Sequence, residues 1–182
     1  DLCKIAWRIP KYFYIGNAYC FHLFPKKTQL EAMLEKTWGD HIFPVCVFAP
    51  VEEKDLIKVE KILKLLSDWC QNKCVKIELV INDWGMAGLI RKKYPNQFLL
   101  TLGCLLSKQR RDTRMNYVNR NDNEFSKEKS QIDAPFYRQY LAKHFNITRV
   151  SFQNSDIDKS FFTPDSMIGM TLHFPYFQMN TS

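Results

Sequence analysis

The run VKIELVINDWGMAGLIRKKYPNQFLLTL, from Val75 to Leu102, reads as one strand–helix–strand unit. Val75 to Ile81 is almost continuously apolar, the pattern of a strand covered on both faces, as parallel strands are. Asn82-Asp83-Trp84-Gly85 interrupts it, and a short helix follows from Met86 to Lys92. Tyr94-Pro95-Asn96 then turns the chain into a second strand, Gln97 to Leu102. Two strands joined through a helix lie parallel when they share a sheet.

The same alternation extends both ways. Strands are expected at Tyr12 to Ile15, Ile42 to Phe48, Ile147 to Phe152 and Met167 to Phe174, the last with Thr171 and His173 on one face. A helix over Gln29 to Lys36 is read as opening on a capping box, Thr28 with Glu31. From Glu53 to Cys70, the residues Leu56, Val59, Ile62, Leu63, Leu66 and Trp69 keep a helical period, with Lys58, Lys61 and Lys64 on the opposite, solvated face. Pro135 to His144 is a further helix, and Lys108 to Gln131 is too hydrophilic to be core. The last two strands are joined by a short connection, a spacing natural near barrel closure. A complete (β/α) barrel takes about 250 residues, and this chain has 182. The expected fold is therefore α/β, an incomplete or distorted TIM-barrel-like arrangement with mostly parallel strands, in one domain over residues 1–182. An open doubly wound sheet is the alternative.

Composition bounds the function classes. With 46% hydrophobic residues and only 6 Gly and 8 Pro, the chain is neither a disordered tail nor a collagen-like repeat. No apolar run approaches the roughly 20 residues of a membrane helix. The formal charge of +7 suits an anionic partner and equally suits plain solubility. Cys3, Cys20, Cys46, Cys70, Cys74 and Cys104 form no evenly spaced disulfide framework, so a reduced cytoplasmic setting is expected. Neither a dinucleotide fingerprint nor a phosphate-binding glycine loop is present, and the four histidines are scattered.

In parallel α/β folds ligands sit at the carboxyl ends of the strands. Those ends carry Gly16 to Cys20, Asn82-Asp83, Gly103-Cys104 followed by Lys108, Arg110 and Arg111, and finally His173. Asp83 reads as a base or polar anchor, or as the cap of the helix it precedes. The KQRRDTR segment, Lys108 to Arg114, reads as an anion site built on guanidinium groups, or as a solvated loop. A basic RNA- or protein-binding module without catalysis is the competing function class.

Three of these stretches, YIGNAYC (Tyr14 to Cys20), ELVINDWGMAGLI (Glu78 to Ile90) and LGCLLSKQRRDTR (Leu102 to Arg114), together resemble the collagenase-like peptidase family. The closing LHFPYFQMNTS, from Leu172, is similar to the strand that precedes that family's cysteine cluster. The resemblance implies a TIM-barrel-like body and an enzyme of peptidase or hydroxylation type. Members act in proteolysis, in oxygen-independent ubiquinone biosynthesis and in RNA modification. It further implies an iron–sulfur cluster in a full-length parent, with Cys20 as one ligand and the others in a cysteine-rich stretch beyond Ser182. This chain is then expected to be a fragment or truncated member that holds no cluster by itself. On that reading Asp83 is catalytic, and Asn82, Lys108, Arg110 and Arg111 bind a polar or anionic substrate, an RNA or a quinone precursor. Hetero- or homo-oligomers are compatible with it.

Overall fold

The computed structural model describes residues 11–107, 132, 134–153 and 168–173. Within them, six strands alternate with helices: β1 (Tyr12–Gly16), α1 (Lys27–Gly39), β2 (Phe43–Phe48), α2 (Leu56–Lys73), β3 (Glu78–Ile81), α3 (Trp84–Lys93), β4 (Leu99–Leu102), α4 (Pro135–Phe145), β5 (Ile147–Gln153) and β6 (Gly169–His173). The strands pair in sequence order β1-β2-β3-β4-β5-β6, and every pair is parallel. The sheet curls into a half-barrel, the incomplete TIM-like form expected of the sequence.

Period-two alternation divides the strand side chains between two faces. Ile15, Cys46, Phe48, Leu79, Ile81, Leu100, Leu102, Val150 and Phe152 point to the helix side. There they pack with Leu30 and Leu34 of α1, Val59, Leu63 and Leu66 of α2, Ile90 of α3 and Leu141 of α4. Burying this many large aliphatic side chains, at about 1.5–3 kcal/mol each, supplies the main driving force for the layered body. The opposite, concave face takes the alternate positions, including Tyr12, Tyr14, Glu78, Thr101, Arg149 and Ser151.

One irregularity decides what the concave face carries. Leu100 pairs with Ile147, but Thr101 pairs with Arg149, so Thr148 is an extra residue in β5. Without that bulge, Arg149 would fall opposite Leu102 and point into the aliphatic layer. The bulge resets the parity of the strand and turns the guanidinium inward, as bulges near functional sites do.

Several local expectations are corrected. Helix α1 begins at Lys27 rather than after a Thr28 cap, and the backbone N–H of Lys26 donates to Gln29 Oε1 at 3.2 Å. Glu31 instead lies 3.9 Å from the Lys27 ammonium, one turn away on the same helix. The expected strand Val75 to Ile81 starts pairing only at Glu78, and Gln97 to Leu102 only at Leu99. The Cys70/Cys74 pair diverges: Cys70 is buried in the core, while Cys74 is exposed and ends α2 in the left-handed conformation at φ 55°. Cys46 is wholly buried, and burial raises its thiol far above its ordinary pKa, leaving a small apolar core residue. Among the described residues, no helix is long and apolar enough to cross a membrane.

Gly103 follows β4 where the backbone passes close to Asn82; a Cβ there would lie 2.1 Å from Asn82 Oδ1 and 2.7 Å from the Ile81 carbonyl oxygen. We expect Gly103→Ala to lower unfolding free energy by about 2–3 kcal/mol through overpacking, read as a shift in the urea midpoint at unchanged slope. A change of a few tenths would show that the rim relaxes freely.

Candidate functional site at the rim and inner face of the half-barrel

At the carboxyl end of β1 the chain turns through Gly16, whose φ of 110° excludes ordinary side chains; a Cβ would meet the Val47 carbonyl oxygen at 2.3 Å. Asn17 then folds the next turn back on itself, its Oδ1 accepting from the backbone N–H of Tyr19 at 2.8 Å and of Cys20 at 2.9 Å. This sets Cys20, half-buried, on the rim. It also swings Tyr19 across to β4, where its hydroxyl lies 3.6 Å from Cys104 Sγ.

Asn82 and Asp83 sit at the end of β3 and do different things. The Asn82 side chain is buried; its Nδ2 donates to the Phe48 carbonyl at 2.9 Å and its Oδ1 accepts from the Leu105 N–H at 3.2 Å. It therefore ties the ends of β2, β3 and β4 together. Asp83 caps α3, Oδ1 accepting from the Met86 N–H at 2.7 Å. Its Oδ2 is buried and has no hydrogen-bond partner among the described residues, an atom burial normally leaves paired. Lys108, Arg110 and Arg111 lie outside the described residues, as does the rest of the basic stretch to Gln131. The rim thus carries Cys20 after β1 and Asn82 and Asp83 after β3, with β2 between them.

Below the rim lies a polar constellation that sequence reading did not single out. Glu78 is only 4% exposed on a strand otherwise made of Leu, Val and Ile. Its Oε1 accepts from the buried Thr101 hydroxyl at 2.6 Å, and its Oε2 is 3.4 Å from Arg149 Nη1. Arg149 also lies over the Tyr12 ring, 5.4 Å from its centroid. Burial works against the Arg149 charge, but its hydrogen bond to Tyr12 and the Glu78 carboxylate hold its pKa above the ordinary value. Tyr14 is pushed up by burial and by the nearby Glu78 charge, while its hydroxyl is hydrogen-bonded by Thr171.

These contacts join opposite edges of the sheet: Tyr12 and Tyr14 come from β1, and Arg149 and Thr171 from β5 and β6. The curl is tight enough for edge side chains to meet across the concave face. On β6 itself, His173 Nε2 lies 2.6 Å from Ser151 Oγ, and burial lowers the imidazole pKa, favouring its neutral form.

The signal for this cluster was present as Glu78 inside an apolar run and Arg149 inside an alternating one. A buried polar residue is the informative exception, but its burial is not visible before the strands are paired. Among the described residues, no group of three or more His, Cys, Asp or Glu side chains is placed to hold a metal ion. No protein-family model, curated protein or solved structure matches the chain.

Two outcomes follow. Arg149→Met leaves Glu78 buried without its cation and should cost about 3 kcal/mol, whereas the double variant with Glu78→Gln should recover most of that loss; additive losses would show that the two groups are not coupled. His173 has its folded-state pKa depressed, so the unfolded chain takes up its proton first as pH falls. The imidazole's contribution is complete above its ordinary titration range and is lost between about pH 7 and 5. The drop in thermal midpoint over that window should shrink in His173→Gln; an unchanged drop would exclude His173 as its source.

Proposed function

We propose that the chain is an enzyme of the collagenase-like peptidase type, a half-barrel that takes a polar or anionic substrate at the carboxyl ends of its strands. The observation that carries this reading is the charged and phenolic cluster of Glu78, Arg149, Tyr12 and Tyr14 on the concave face, set toward the amino-terminal ends of the strands whose carboxyl ends form the rim. Polar groups held in a mostly apolar concavity are what orient a ligand in such folds. Arg149 and the tyrosines form the floor that a carboxylate, phosphate or polar carbonyl would meet.

At the rim, Asp83 is the acid–base residue of this proposal. One oxygen is fixed by the cap of α3, so the carboxyl group has a defined orientation, and the other is buried without a hydrogen bond among the described residues. Asn82 acts by holding three strand ends in register, which is positioning rather than direct contact. Lys108, Arg110 and Arg111, which lie outside the described residues, enter this proposal from the sequence as its anion-binding residues. In peptide hydrolysis Asp83 would take a proton from the water that adds to the carbonyl carbon and return it to the amine nitrogen as the C–N bond breaks. Cluster-dependent hydroxylation of an RNA or quinone precursor would draw on thiolates outside the described residues, with Cys20 as the ligand from this rim.

The test uses purified protein and fluorescein-labelled gelatin. Wild type is expected to release labelled peptides, and Asp83→Asn to slow release at least 100-fold with little change in thermal midpoint. Equal rates in the two proteins would remove Asp83 from catalysis, and no release by wild type would remove the proteolytic reading.

A further inference from the structure

Helices α3 and α4 present an outer surface that begins beside the rim at Trp84 and runs away from it. Together they contain Arg91, Lys92, Lys93, Arg138 and Lys143 and no Asp or Glu, although Asp83 caps α3 and Glu60 of α2 holds Lys93 at 2.6 Å. The outward stripe of α4 is Phe136, Tyr140, Lys143 and His144, at the spacing of one helix face. Phe136 is 74% exposed and Tyr140 47%, an unusual yield of open ring surface for the solvent side of a helix. The rings continue from one helix to the other. Tyr140 and His144 have centroids 4.5 Å apart, Tyr140 and Phe145 6.0 Å, and Phe145 and Trp84 of α3 5.4 Å; Trp84 is itself 40% exposed. Arg91 lies over the Phe145 ring at 5.9 Å.

Exposed rings interleaved with cations, on two helices without a carboxylate, match one partner chemistry best. Phosphates are drawn by the cations, and unpaired bases stack on the rings. An apolar protein partner would account for the rings but not for the missing acids. We propose that the α3–α4 surface is a docking platform for single-stranded nucleic acid, with Trp84 and Tyr140 as stacking residues and Arg91 and Lys143 as phosphate contacts. This platform adjoins the rim where Trp84 follows Asp83, runs away from it along α3 and α4, and does not depend on the hydrolytic reading.

The experiment measures fluorescence anisotropy of a fluorescein-labelled 12-nucleotide oligouridine with the full chain, at 50 and 200 mM salt. Binding is expected at low salt, at least tenfold weaker at high salt. It should weaken about tenfold in Tyr140→Ala and again in Trp84→Ala. Circular dichroism and an unchanged thermal midpoint confirm that both variants are folded. A duplex of the same length should bind more weakly than the single strand. Three results would overturn the proposal: no binding by wild type, equal binding by the Trp84/Tyr140 double variant, or duplex binding as tight as single-strand binding. A self-associating wild type that Tyr140→Ala converts to monomer would assign the surface to protein contact and overturn it as well.

Discussion

A carboxylate buried in a sheet must be paired, and in this molecule that requirement links most of the inner architecture. Glu78 lies on a central strand between neighbours that offer only apolar side chains on the helix side. Its charge is met instead across the concave face, by Thr101 on β4 and Arg149 on β5. For Arg149 to arrive there, β5 must carry an extra residue, and Thr148 supplies it. For the guanidinium to be held, the sheet must curl until Tyr12 reaches it from the far edge. Pairing, bulge and curl are therefore one arrangement. A buried ion pair of this kind contributes little net stability compared with a well-packed apolar replacement.

The rim is built on a different principle. Here backbone geometry and amide side chains fix the ends of strands: Gly16 through its positive φ, Asn17 through a doubly accepting oxygen, Asn82 through contacts to two neighbouring strand ends, and Gly103 by leaving room for Asn82. Loops that carry function need such rigid supports, because a displacement of about 1 Å at a reacting group can cost a hundredfold in rate. The Asn82–Gly103 contact also explains why two adjacent strand ends remain at a fixed spacing above the Glu78 cluster.

The candidate site was only partly legible beforehand. Asp83 as a helix cap could be read from its place before Trp84-Gly85-Met86, and the structure shows that cap; its second, unpartnered oxygen could not be foreseen, because it depends on what packs around the cap. Asn82 looked like a ligand group, yet its amide is occupied by Phe48 and Leu105, residues 34 and 23 positions away. Thr171 and His173 were correctly placed on one face by alternation, but their partners Tyr14 and Ser151 come from other strands. The aromatic band was hidden for a related reason: Trp84 and Phe145 are far apart in sequence and meet only when α3 and α4 pack.

What the amino-acid order settled by itself is the local grammar: apolar runs of strand length, helical periods between them, and the parallel alternation these impose, because side-chain spacing along a strand or helix is fixed by backbone geometry. It also set the charge and the cysteine spacing. What only the packed molecule decided is which polar groups meet. The inward turn of Arg149 depends on one bulge, the reach of Tyr12 and Tyr14 depends on how far the sheet curls, and the fate of Cys70 and Cys74 depends on where α2 ends. Each is a long-range or parity-sensitive property, and one residue of slippage exchanges the two faces of a strand.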